Sequence, residues 1–153
     1  MNEPAAHLRF ANAAGCLYLE PAGYVRLVWE QTTDSAEVRE LLNQALKQLI
    51  ASGCDRMLID HRQTAPYLEE DCVWLLTDWF PRCMDQTQYG HGAILASYDL
   101  FVRLAVSTFG RQVRQQYGVH YHYFEAWQQD DAIAWLLAQP DPACSSTQPG
   151  RAI

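Results

Sequence analysis

Positive charge is scarce in this chain. Lysine and arginine number 11 against 18 aspartates and glutamates, a formal net charge of −7 with no basic block to offset it. A broad footprint on nucleic-acid phosphates needs the opposite balance, so neither DNA nor RNA is an expected partner. Long apolar runs are missing as well. None approaches the ~20 residues of a membrane-spanning helix, and the opening MNEPAAHLRF has neither a basic leader nor an apolar stretch of the secretory kind. The expected location is the cytoplasm. Paired cysteines are also lacking: those at 16, 54, 72, 83 and 144 form no C-x-x-C unit, which excludes the usual structural-zinc and dithiol spacings and leaves reduced thiols as the simplest reading. Catalytic templates are absent in turn, with no G-x-S-x-G elbow, no G-x-x-x-x-G-K-S/T loop, no H-E-x-x-H and no G-x-G-x-x-G.

What is present is enough apolar surface for a core. With 49% hydrophobic and 19% charged residues in 153, the composition is that of one globular domain. Residues 1–15 read as an alanine-rich amino-terminal extension, 16–139 as the domain, and 140–153, PDPACSSTQPGRAI, as a flexible tail. Cys16 to Glu20 and Tyr24 to Glu30 are β-type runs around Pro21-Ala22-Gly23, which predicts an antiparallel hairpin. Asp34, with Glu37 three residues on, has the form of a capping box. Val38, Leu41, Leu42, Ala45, Leu46, Leu49 and Ile50 follow at helical spacing up to Gly53.

Beyond Gly53 the pattern alternates. Strands are expected at Arg56–Asp60, Gly92–Ala96 and Val119–Phe124, and helices at Glu69–Phe80, Leu100–Tyr117 and Asp130–Gln139. Pro81 is expected to end or kink the second helix. Strands separated by single helices predict parallel pairing, so the fold class is α/β: an amino-terminal β-hairpin, then alternating strands and helices in a mixed, mostly parallel sheet.

This order resembles the STAS-like domains, the fold shared by bacterial anti-sigma-factor antagonists and the cytoplasmic ends of sulfate transporters. The resemblance spans about residues 16–139. It is carried by the opening strands, by MLIDHRQ closing on an aspartate, by GAILAS, and by the ending VHYHYFEAWQQDDAIAWLLAQ. That ending is similar to the SpoIIAA-like branch, whose members mostly lack an assigned function. In the anti-sigma-antagonist branch, the loop after the aspartate-ending strand carries a phosphorylated Asp-Ser-Ser/Thr-Gly motif. This chain has Asp60-His61-Arg62-Gln63-Thr64-Ala65-Pro66 instead. The usual serine switch is therefore not carried over, and Thr64, the loop's one hydroxyl, can equally serve a turn or a helix cap.

In open α/β sheets ligands gather beyond the carboxyl ends of the parallel strands, which directs attention to Asp60–Leu68, Ser97–Asp99 and Glu125–Gln129. Asp60, His61, Arg62 and Thr64, with Ser97 and Tyr98, are the candidate binding residues. Arg62 could anchor a carboxylate or phosphate; alternatively it forms a structural salt bridge to Glu69 or Glu70. Ser97 and Asp99 are first of all N-cap candidates. Arg103, Ser107, Arg111 and Arg114 fall on one side of their helix as a cationic stripe, opposite Phe101, Leu104, Ala105, Thr108, Phe109 and Val113 as the expected core side. Trp74 lies beside the apolar stripe of the second helix, formed by Cys72, Leu75, Leu76, Trp79 and Phe80, and is either an interface residue or the edge of the core. His120 and His122 alternate on the last strand with no evident third ligand, so no metal and no cofactor is expected. The leading expectation is a non-catalytic regulatory module that binds another protein, with a homodimer possible. The alternatives are a carrier of a small apolar or amphipathic ligand and, behind it, an enzyme using the Asp60–Thr64 loop.

Overall fold

A computed structural model describes residues 6–31, 34–64 and 68–141; Cys144 and the expected tail from 142 onward lie outside them. Six strands form one sheet in chain order. The first three, β1 (His7–Asn12), β2 (Gly15–Glu20) and β3 (Tyr24–Trp29), make an antiparallel meander, and β4 (Arg56–Asp60), β5 (His91–Leu95) and β6 (His120–Phe124) continue from β3 in parallel. The expected hairpin is β2–β3. β1, which pairs with β2 from within the segment read as an extension, was not expected from the sequence. Its side chains are mostly exposed, so it lacks the apolar alternation by which strands are recognised.

Helix α1 (Ser35–Ser52) starts where Asp34 accepts from the amides of Ala36 and Glu37 and stops at Gly53, which adopts the left-handed conformation and donates to the Leu49 carbonyl. The Glu37 carboxylate does not complete a reciprocal capping box; it accepts from the Ala13 amide at 3.2 Å and so joins the helix to the β1–β2 turn. The expected stripe is buried through Leu49, while Ile50 at its end is 44% exposed.

Pro81 neither ends nor visibly breaks the second helical stretch. α2 (Glu69–Trp74) runs through a π-helical turn (Leu75–Trp79) into α3 (Phe80–Gln86), with the Phe80 amide donating to the Leu75 carbonyl five residues back. A proline withholds one amide and crowds the carbonyl four residues earlier, and the wider turn just before it accommodates both effects. The Trp79 indole then donates to the buried Leu42 carbonyl at 2.7 Å and ties this stretch to α1. α1, the α2–α3 stretch and α4 (Leu100–Tyr117) cover one face of the sheet, and α5 (Gln129–Leu137) covers part of the other.

The orientation of α4 differs from the expected one. Val102, Val106, Gly110 and Val113 face the sheet, while Phe101 and Leu104 are 78% and 58% exposed. Gly110 explains the difference: a Cβ there would run into Tyr123 Oη, so the tyrosine of β6 seats its hydroxyl against this glycine.

Leu46, 3% exposed in the middle of the α1 stripe, tests this core. Leu46→Ala should cost about 2–5 kcal/mol in urea unfolding, whereas Ile50→Ala, at the exposed end of the same helix, should cost well under half as much.

Candidate functional site

β4 is the central parallel strand, and the loop leaving it sends consecutive side chains to opposite faces. Asp60 and Arg62 turn toward α5. Arg62 Nη2 lies 2.7 Å from Asp60 Oδ2 and its Nε 3.0 Å from Oδ1, while the Arg62 amide also donates to Oδ1 at 3.0 Å. The remaining contacts reach across the sheet: Nη1 donates to the Ala126 carbonyl at 3.1 Å and Nη2 to Gln129 Oε1 at 3.2 Å. Hydrogen bonding to Asp60 raises the pKa of the guanidinium above its ordinary value. The structural partner of Arg62 is thus Asp60, not Glu69 or Glu70, and the donors expected to meet an external anion are engaged inside the domain. Thr64 is buried, with its amide on the His61 carbonyl at 3.1 Å.

His61 points the other way. It is 2% exposed and lines both a small pocket of about 60 Å³ and a larger cleft of about 490 Å³. Burial lowers its pKa to about 4 despite the opposing pull of Asp60, so the ring is neutral at pH 7. The cleft lies between α4 and the carboxyl ends of β5 and β6, and its wall also contains Ser97, Arg103, Ser107, Tyr123 and Glu125. The Ser97 hydroxyl accepts from the Asp99 amide at 3.1 Å, and Asp99 in turn caps α4 by accepting from the Phe101 amide at 2.8 Å. Arg103 Nη2 donates to Glu125 Oε1 at 2.9 Å, with both side chains 39% exposed. Leu100 and Leu104 line this cleft and stand in solvent, and Tyr98, Phe101 and, at 79% exposure, Trp127 are exposed in the segments that flank it in the chain.

Of the expected binding residues, the structure therefore brings His61 and Ser97 to the cleft, leaves Tyr98 at its rim, and turns Asp60 and Arg62 away from it. Arg111 and Arg114 are exposed farther along α4. Trp74 is half-buried against the core, with the guanidinium groups of Arg39 and Arg82 at 5.2 and 5.8 Å from its ring. Trp127 was missed, although an aromatic set among Glu125, Gln128, Gln129 and Asp130 in a strand-to-helix turn was a readable sign.

On the opposite face, His91 and His120 are register partners. With His122 they gather around Trp135, at ring separations of 6.2, 6.0 and 5.1 Å. Among the described residues no group of three or more histidine, cysteine, aspartate or glutamate side chains is placed to hold a metal ion. Cys83 is wholly buried, which pushes its thiol up to about 11, the opposite of a reactive thiolate.

No family model matches the chain, and no curated protein matches it significantly. A solved structure is similar: an uncharacterised protein of the DUF3478 family with a SpoIIAA-like fold from Shewanella loihica PV-4, at a TM-score of 0.55 and 12% identity over 89% of this chain and 98% of that one. The chain has a SpoIIAA-like fold. At that identity the likeness establishes the STAS-like architecture expected from the strand order. In this SpoIIAA-like sheet the cleft occupies the strand ends at which open α/β sheets receive ligands.

Two outcomes test the site's framework. Arg62→Ala should lower stability by about 2–3 kcal/mol, the scale for breaking a largely buried charged hydrogen-bond pair, as read by urea unfolding. An unchanged midpoint would return Arg62 to the role of a free anchor. For His61, the unfolded imidazole titrates near 6.5 and the folded one near 4. Stability is therefore complete above pH 6.5 and falls by about 3 kcal/mol as the pH drops to 4, because the unfolded chain takes up the proton first. His61→Leu should flatten the unfolding midpoint over that pH range.

Proposed function

We propose that the chain is a non-catalytic regulatory module that docks a partner protein on the end of its sheet where β5 and β6 stop. The supporting observation is the rim of the cleft. Of the eleven large hydrophobic side chains exposed among the described residues, five (Tyr98, Leu100, Phe101, Leu104 and Trp127) come from the β5–α4 segment and the β6–α5 turn. Single exposed apolar residues are ordinary, but a concentration at one end of a sheet marks a contact surface. Aromatic anchors of this kind carry most of the energy of protein interfaces. The acidic net charge favours partners other than nucleic acid, and free thiols at Cys16, Cys54, Cys72 and Cys83 suit the cytoplasm. No helix among the described residues is long and apolar enough to cross a membrane.

The test is a matched set of immobilised baits in cell extract. A partner recovered by the native chain should bind Phe101→Asp and Trp127→Ser at least tenfold more weakly and Val73→Asp normally, because Val73 is exposed on α2, the helix that the Arg39–Asp71 pair ties to α1. All three variants should melt close to the native temperature. Should the captured protein be the chain itself, sedimentation would show a dimer that Phe101→Asp dissociates. Equal binding by all three variants would overturn the proposal.

A further inference from the structure

The rim encloses a space with its own chemistry. A volume of about 490 Å³ lies within the range of about 300–1,000 Å³ typical of sites for small organic molecules. Its walls are of two kinds: Ile94, Val106 and Tyr123 offer hydrocarbon and aromatic surface, while Arg103 and Glu125 set one charged pair among them. We propose that this cleft binds a small amphipathic carboxylate, its head group on Arg103 and its apolar body along Ile94, Val106 and Tyr123.

The charges select the head group. His61 on the inner wall is neutral at pH 7, so among the lining residues Arg103 is the cation. Arg103 and Glu125 are both 39% exposed. A carboxylate can therefore take the place of Glu125 on the guanidinium while Glu125 turns into water, an exchange of one charge-assisted hydrogen bond for another. A cationic head that took the place of Arg103 on Glu125 would face the further positive charge of Arg111 and Arg114 along α4, and a neutral one would leave the ion pair intact and gain only apolar contact. Asp99, the other acid near the mouth, already has its carboxylate engaged on the Phe101 amide. Farther along α4, the exposed Arg111 and Arg114 add positive potential on a chain of net charge −7.

This site goes beyond partner docking: it uses the floor of the cleft, whereas docking uses the rim, so the two can fail separately. The probes are decanoate, 1-decanol and decylamine, titrated into the full chain by calorimetry with amide-shift mapping. Decanoate should saturate a single site at least tenfold more tightly than decanol, with decylamine weakest, and should shift the amides of Ala96 to Ser107 and Tyr123 to Glu125. Arg103→Gln should remove the preference for the carboxylate while leaving decanol binding unchanged. Ser107→Trp, a half-buried wall position on α4, should block all three probes, and Phe101→Asp on the rim should leave decanoate affinity within about twofold. Equal affinity for the three head groups, decanoate binding that survives Ser107→Trp, or no saturable decanoate binding would each overturn the proposal, and none of these would bear on the partner-docking test.

Discussion

The arrangement of this domain depends on two arginines at the two ends of one strand. At the amino end of β4, Arg56 is 4% exposed and pairs with Asp55 at 2.7 Å. It also donates to the Leu136 and Gln139 carbonyls at 2.8 and 2.9 Å, where α5 finishes. At the carboxyl end, Arg62 pairs with Asp60 and donates to Ala126 and Gln129, where α5 begins. A guanidinium at a helix carboxyl end meets carbonyls that the helix itself leaves unsatisfied. The helix is thus clamped at both ends by the strand beneath it. Burying such charges is costly, and the arrangement stays favourable only while each charge keeps its full set of partners. Removing one member would leave an unsatisfied charge against the centre of the sheet.

That clamp divides the labour of the loop after β4. Strand alternation commits Asp60 and Arg62 to α5, and the same alternation directs His61 to the opposite face, onto the wall shared by the small pocket and the cleft. Structural and candidate functional residues are therefore neighbours in sequence and strangers in space. The anchoring of the Ala126 carbonyl also fixes the turn that displays Trp127, so a purely structural ion pair positions part of the rim.

Elements whose signals are local were legible in the sequence. α1 announces itself through Asp34, a leucine stripe and Gly53, and β4 and α4 have the expected ends because a short apolar run and an aspartate cap define them. The misreadings arise where an element or a side chain is defined by its partner and not by its own local pattern. β1 has little apolar pattern of its own and becomes a strand by pairing with β2. Arg62 pairs backward with Asp60, two residues before it, and not forward with Glu69 or Glu70, and its other acceptors lie 64 and 67 residues away, a separation at which no spacing rule operates. The location of the site at the strand ends was readable from topology, but which side chains enter it depended on how α4 is turned.

That turn follows from one residue. Successive side chains on an α-helix are separated by about 100°, so with Gly110 against Tyr123, Val106 and Val113 fall within about 60° of the contact and Val102 within about 80°. Phe101 lies about 180° from it and Leu104 about 120°. The larger side chains would win the core on hydrophobicity alone, since a fully buried leucine or phenylalanine stabilises by roughly 1.5–3 kcal/mol. Rotating α4 to bury them would bring a side chain bearing a Cβ to the place where only a glycine fits beneath Tyr123, and it would carry Arg103, about 20° from Gly110 in projection, away from Glu125. Close packing at a single glycine thus keeps Phe101 and Leu104 in water and Arg103 at the cleft, and the rim and its cation arise from the same contact.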